Sequence, residues 1–130
     1  MIKISHKLSY TLMDVNNLRQ HEEISLEHFT DLLGEIKKNK YIEPILVESR
    51  SRVILDGHHR YNVIKSLGFS SIPAYKVSYS EVELKSWRPD IKVTKKEVIR
   101  RGKEGDLFPP KTSRHIHGFE KEKISLEALK

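Results

Sequence analysis

Asp56-Gly57-His58-His59-Arg60 is the stretch of this chain with the densest potential for chemistry. It follows the apolar run Val53-Ile54-Leu55 and opens a segment that reads as a helix. An acid, a glycine, two imidazoles and a guanidinium therefore meet at a strand-to-helix corner. The start of a helix presents unpaired N–H groups and about half a positive charge. A phosphate, and chemistry done on a phosphate, suit such a corner. Gly57 permits close backbone approach, and Arg60 can grip phosphate oxygens with two N–H groups at once. Asp56 can cap the helix, orient a hydroxyl or a histidine, or meet Mg²⁺ beside phosphates.

Two further clusters gain meaning beside this corner. His21-Glu22-Glu23 lies on a loop before a helix, and a carboxylate there can accept the proton of an alcohol being phosphorylated. Phe108-Pro109-Pro110-Lys111-Thr112-Ser113-Arg114-His115 is a proline-stiffened segment presenting cations and hydroxyls in succession, a second anion-recognition cassette outside the expected core. Trp87, the only tryptophan, reads equally as a core anchor or as a lid over a ligand. A zinc site from His58, His59, His115 and His117 is conceivable, but no metal-ligand spacing supports it.

Several elements must position these groups. Leu26, Phe29, Leu32, Leu33 and Ile36 mark one face of a helix capped by Ser25 and ending near Lys38. Pro44 to Glu48 and Val53 to Leu55 read as a hairpin joined by Ser49-Arg50-Ser51-Arg52. Arg60 to Leu67 reads as a helix closed by Gly68, and Ile72 to Val77 as a strand with Pro73 at its edge. Ile2 to Leu12 and Glu81 to Trp87 are further strand candidates. Thr94-Lys95-Lys96-Glu97 is a capping box for a helix that stops at Gly102. The stretch around Phe108-Pro109-Pro110 reads as loop, with a weak last helix near Ser125 to Leu129.

Composition sets the outer limits. The chain has 130 residues, 37% hydrophobic and 32% charged, which suits one domain with a small core and a polar periphery, and the order of its elements reads as α/β. No cysteine is present, so thiol catalysis, disulfides and thiolate metal sites are excluded. No apolar stretch at the N-terminus is long enough for a signal peptide or a membrane span, and a cytoplasmic protein is the expectation. The net charge of +6 fits either a solvated surface or an anionic partner. Much of the excess sits in Lys95, Lys96, Arg100, Arg101 and Lys103.

The hairpin, with Glu43-Pro44-Ile45-Leu46-Val47 and the Gly-x-x-Arg corner before a helix, resembles the ParB/sulfiredoxin-like superfamily over residues 14–80. The resemblance implies a small mixed sheet with flanking helices, followed by a C-terminal arm over 81–130. Members bind DNA, hydrolyse nucleotides or transfer phosphate. The sulfiredoxin reaction needs a cysteine, which this chain lacks.

His21-Glu22, the Asp56-to-Arg60 corner, Trp87 and Pro110-Lys111-Thr112-Ser113-Arg114-His115, in that order, resemble the free L-serine kinase (SerK) family. That family makes O-phospho-L-serine for cysteine or siderophore synthesis. The resemblance implies that Glu22 is the general base and Asp56 an assisting carboxylate. Gly57, His58, His59 and Arg60 would hold the transferred phosphate. Trp87, Lys111, Thr112, Ser113, Arg114 and His115 would close on serine and its phosphate.

The implied cofactors are Mg²⁺, held through the phosphates with Asp56 as a candidate ligand, and ATP or ADP. Archaeal ADP-using members carry a large insertion before the tail, whereas here only about twenty residues intervene, so the donor stays open. L-serine and the nucleotide are the expected partners, and a homodimer is compatible with the pattern. The alternative is a ParB-like nucleotide- and DNA-binding protein using the basic stretch from Lys95 to Lys103. Pro89, Pro109 and Pro110 interrupt any helix-turn-helix in the last third, which disfavours it.

Overall fold

The structure, a computed structural model, describes residues 9–119 and 121–130. Most of the strand expected over Ile2 to Leu12 lies outside that range; β1 is Thr11–Asp14. Next come α1 (Leu26–Asn39), β2 (Tyr41–Ile42), β3 (Ile45–Glu48), β4 (Ile54–Asp56) and α2 (His58–Ser66). The chain continues through β5 (Ser71–Val77), β6 (Glu83–Ser86), α3 (Lys95–Glu104), β7 (Ser113–Ile116) and β8 (Ile124–Ser125). It closes on a short 3₁₀ helix over Leu126–Leu129, at the place of the weak last helix expected near Ser125 to Leu129.

One mixed sheet of four strands, in the order β1-β5-β3-β4, carries the fold. β3 and β4 form the expected antiparallel hairpin, and β3 runs parallel to β5. α2 supplies the crossover a parallel pair requires. Pro73 lies within β5, one residue before the parallel ladder with β3 begins at Ala74. Ser25 caps α1 by accepting from the His28 N–H. Lys40, in the left-handed region at φ 60°, closes the helix by donating its N–H to Ile36 O.

Successive strand residues face opposite sides of a sheet, and here both sides are buried. Ile45, Val47, Ile54, Ile72 and Ala74 pack toward α1 and α2 with Ile36, Tyr61 and Ile64. Leu46, Val53, Leu55, Tyr75 and Val77 face the other way, onto Val98, Phe108 and Phe119. The segment after residue 81 is therefore part of the core, covering the second face of the sheet. Phe108, expected in a surface cassette, is 1% exposed. Leu26, expected on the buried face of α1, is instead 76% exposed in its first turn.

Two glycines matter through contact. α3 runs through Gly102 to Glu104 and is closed by Gly105 at φ 71°, so Gly102 is not its end. A Cβ on Gly102 would lie 2.5 Å from Val53 Cγ2, so its bareness lets α3 lie against Val53, the residue just before β4. Among the described residues no helix is long and apolar enough to cross a membrane.

Gly57 holds φ 108°, and a Cβ there would stand 2.4 Å from Ile45 Cγ2. Gly57→Ala therefore combines backbone strain with a clash, and should lower stability by roughly 1–3 kcal/mol. The urea midpoint measures this, and an unchanged midpoint would contradict the packing described.

Candidate active site

β4 ends on Asp56, the chain turns at Gly57, and α2 starts at His58, two residues before the position read from sequence. His58, His59 and Arg60 consequently form the first turn of the helix. Gly57 is the N-cap and makes no side-chain capping bond, so Asp56 does not cap the helix. Its Oδ2 lies 3.3 Å from His117 Nε2 and 3.7 Å from Arg60 Nη2. Burial pushes the Asp56 carboxyl up, but His117 and Arg60 outweigh it and hold the group below its usual range. Arg60 also donates through Nη1 to Glu43 O and Pro44 O, at 3.2 and 2.7 Å. Much of this guanidinium thus ties α2 to the start of β3.

Both histidines of the corner accept through Nε2. The His21 N–H donates to His58 Nε2 at 3.2 Å, and the Ser25 N–H to His59 Nε2 at 3.0 Å. In a neutral imidazole the other nitrogen then carries the proton. Each ring is therefore set as a donor at Nδ1. Burial, followed by neighbouring His21, His115 and His59, lowers His58 well below its ordinary value. Burial, His28 and Lys111 lower His59 to about 4.

The loop carrying Glu22 is pinned on both sides. The Arg19 N–H donates to Arg52 O, and the Ile54 N–H to Arg19 O. Farther along, the Phe108 N–H donates to His21 O and the Glu23 N–H to Phe108 O. Glu22 is buried, and its Oε1 accepts from the Thr112 N–H (3.2 Å), the Ser113 N–H (2.8 Å) and the Ser113 hydroxyl (2.8 Å). Burial raises its pKa above the ordinary carboxylate value, while the bonds from Ser113, Thr112 and Lys111 pull the other way. A carboxylate raised by burial yet held in place is what a general base needs.

The tail is a strand, not the loop read from sequence. β7 pairs antiparallel with β6, Ser113 opposite Ser86 and His115 opposite Leu84. Trp87 follows β6, is 57% exposed, and lies under the Arg114 guanidinium at 4.6 Å. It is a wall of the site and not a core anchor. Thr112 turns its hydroxyl to Pro109 O, at 2.6 Å, and its side chain is fully buried.

One cleft of about 520 Å³ gathers Glu22, Asp56, Gly57, His58, His59 and Arg60 with Trp87, Ser113, Arg114 and His115. Lys111 and Thr112 are not on its wall. Lys111 acts on it through charge, as one cause of the lowered His59. Sequence reasoning missed the far wall: His28, Leu32 and Ile36 of α1 also line the cleft. Their spacing of four residues was the available signal, but it reads as ordinary core periodicity. His28 stacks on His59 with ring centres 4.1 Å apart.

His21 was noted in sequence but given no role. It is fully buried, its ring 4.5 Å from that of His58 and 5.6 Å from that of His115. Among the described residues no group of three or more His, Cys, Asp or Glu is placed to hold a metal ion. The basic stretch becomes α3, where Arg100 pairs with Glu97, Glu104 and Asp106, and Arg101 with Glu97 and Asp106. Much of its charge is thereby neutralised within the chain.

The profile of the ParB N-terminal domain matches residues 2–86. The chain belongs to the ParB N-terminal domain family. It is 40% identical over 72 residues to a ParB-like protein of Sulfolobus acidocaldarius, covering 54% of this chain and 36% of that one. It is 33% identical over 102 residues to an ATP-dependent L-serine kinase of Desulfurococcus mucosus, covering 70% of this chain and 40% of the kinase. The chain thus spans well under half the length of either curated relative. A solved free serine kinase in complex with AMP superposes with a TM-score of 0.83 at 16% identity, over 97% of this chain and 95% of that one. That likeness gives this ParB-family chain the kinase's fold, the small mixed sheet expected from sequence.

The neutral histidines set an acid limit on stability. Burial lowers His21 to about 4 and His115 to about 3, each from an ordinary value of 6.5. The unfolded chain binds more protons below that value, so their stabilising contribution is full above pH 6.5 and lost as pH falls toward 4 and 3. Glu22, raised in the fold, offsets part of the loss. His21 alone should cost roughly 2 kcal/mol by pH 5. Urea unfolding at pH 7 and pH 5 checks this, and equal midpoints would contradict neutral burial.

Proposed function

We propose that this chain is a nucleotide-dependent kinase that converts free L-serine to O-phospho-L-serine. The observation that carries the reading is the meeting of a buried, anchored Glu22 with the uncapped start of α2 in one cleft. The likeness to an ATP-dependent L-serine kinase supports serine as the acceptor and ATP as a donor, with ADP the other candidate. The reading takes residues 1–130 as a single domain, with the segment after residue 81 completing the site.

Phosphoryl transfer needs in-line positioning and charge neutralisation more than covalent help from the protein. Glu22 takes the proton of the serine hydroxyl as oxygen attacks phosphorus. Asp56, kept ionised by His117 and Arg60, is the second carboxylate. The first-turn N–H groups of α2 hold the transferred phosphate, helped by Nδ1–H of His58 and His59. Arg114, braced on Trp87, adds positive charge from the opposite wall. Leu32, Ile36 and the His28–His59 stack offer an apolar wall to the nucleotide base.

The donor set suits Mg²⁺ carried in by phosphates: the corner offers one ionised carboxylate, Asp56, and no preformed cage among the described residues. When bound, the ion neutralises charge on the phosphates.

Glu22→Gln keeps an oxygen for the Thr112 and Ser113 N–H groups and removes the proton acceptor. Serine-dependent turnover should fall by roughly 10²–10⁴-fold, with nucleotide binding by calorimetry retained. Normal turnover by this variant would remove Glu22 from the mechanism.

A further inference from the structure

Behind Glu22 lies a proton count that does not close. The Ser113 hydroxyl is 2.8 Å from Glu22 Oε1 and 2.8 Å from His21 Nε2. His21 Nδ1 stands 2.7 Å from Ile54 O, which can only accept, so Nδ1 carries the ring proton. Burial keeps the ring neutral at ordinary pH, which leaves Nε2 an acceptor. Two acceptors therefore flank one hydroxyl that has a single proton to give. His21, fully buried, cannot trade the hydroxyl for water, while Glu22 lines the cleft.

We propose that the Ser113 hydroxyl is a two-position switch, donating to Glu22 while that carboxylate is charged and to His21 once Glu22 has taken the substrate's proton. This rests on the kinase reading for its consequence, and on geometry alone for its existence. In the step itself the serine O–H bond breaks and its proton forms a bond to the Glu22 carboxylate. The oxygen's electron pair forms the new bond to phosphorus as the bridging P–O bond to the nucleotide breaks, and that bond's electron pair leaves on ADP (from ATP) or AMP (from ADP). The Ser113 O–H bond stays intact and only rotates. Glu22 Oε1 keeps the Thr112 and Ser113 N–H donors throughout.

The switch makes Glu22 a better base. Without His21, the hydroxyl would stay on Glu22 and stabilise only its charged form, weakening it as a proton acceptor. With His21, the protonated form has its own hydrogen bond to gain. His21 and Ser113 are positioning residues, acting through Glu22. The titratable groups facing His21 are His58 of α2 and His115 of β7, both held neutral by burial. Phe108 covers a third side, with ring centres 6.4 Å apart. Asp56, Arg60 and Arg114 are charged groups of the same cleft.

The test uses the whole protein without substrate. The Glu22 carboxyl is followed by carbon NMR and His21 Nε2 by nitrogen NMR across an acid titration. In the native protein the Nε2 resonance should move, within the neutral range, at the Glu22 midpoint. Ser113→Ala should abolish that movement and raise the Glu22 midpoint, because the charged form loses a donor. His21→Asn keeps a donor for Ile54 O but lacks the reach of Nε2, and should lower the midpoint. Each shift should be about one pH unit, the worth of one hydrogen bond. Ser113→Thr should restore native behaviour.

An Nε2 resonance that stays flat through the Glu22 titration overturns the switch, as do two midpoints moving in the same direction. If His21→Asn does not fold, the native nitrogen titration and Ser113→Ala still decide. The acid limb of kcat for serine phosphorylation should follow the carboxyl midpoints. Opposite midpoint shifts in a protein that makes no phosphoserine would sink the kinase reading and leave the switch standing.

Discussion

Glu22 is held by groups from 90 and 91 residues along the chain, the Thr112 and Ser113 N–H groups and the Ser113 hydroxyl. A carboxylate taken out of water without such partners would be costly. With them it stays in a cleft wall, its pKa raised by burial and pulled back by those same donors. The same bonds fix where β7 begins, and β7 brings Arg114 and His115 to the cleft. The constraint works in both directions. The tail supplies the donors that let the acid be buried. The acid in turn adds to the Trp87 N–H bond to Thr112 O and the pairing with β6 in holding the start of the tail.

The two-sided sheet explains why that return is built in. Alternation along β3 and β4 sends Leu46, Val53 and Leu55 away from α1 and α2, and that face needs a cover. Val98 of α3, with Phe108 and Phe119, supplies it. Phe108 is also the residue whose backbone clamps the His21-Glu22 loop. Phe108 therefore serves core and site together, and what closes the second face also aligns Glu22.

What was legible in the sequence was local. The Ser25 cap, the hairpin and the strand-to-helix corner each depend on residues a few positions apart. The three chemical clusters could be named because their residue types are unusual together. Illegible features were those set by distant partners. The strand character of Ser113–Ile116 exists because β6 lies beside it, and nothing in Thr-Ser-Arg-His announces that pairing. Gly102 reads as a stop, yet Val53 decides its role and Gly105 ends the helix. Leu26 fits the helical period but is left exposed among the described residues, in the first turn of α1. His21 acquires meaning only from Ile54, His58 and Ser113, contributed by three separate elements.

The central claim is that the corner, the buried acid and the returning tail form one centre for moving phosphate to serine. Phosphorus NMR of the folded protein with L-serine, Mg²⁺ and either ATP or ADP tests it most directly. The account predicts a new phosphomonoester resonance that co-migrates with added O-phospho-L-serine and needs L-serine to appear. Absence of that resonance with both nucleotides, from protein shown to be folded, would contradict it.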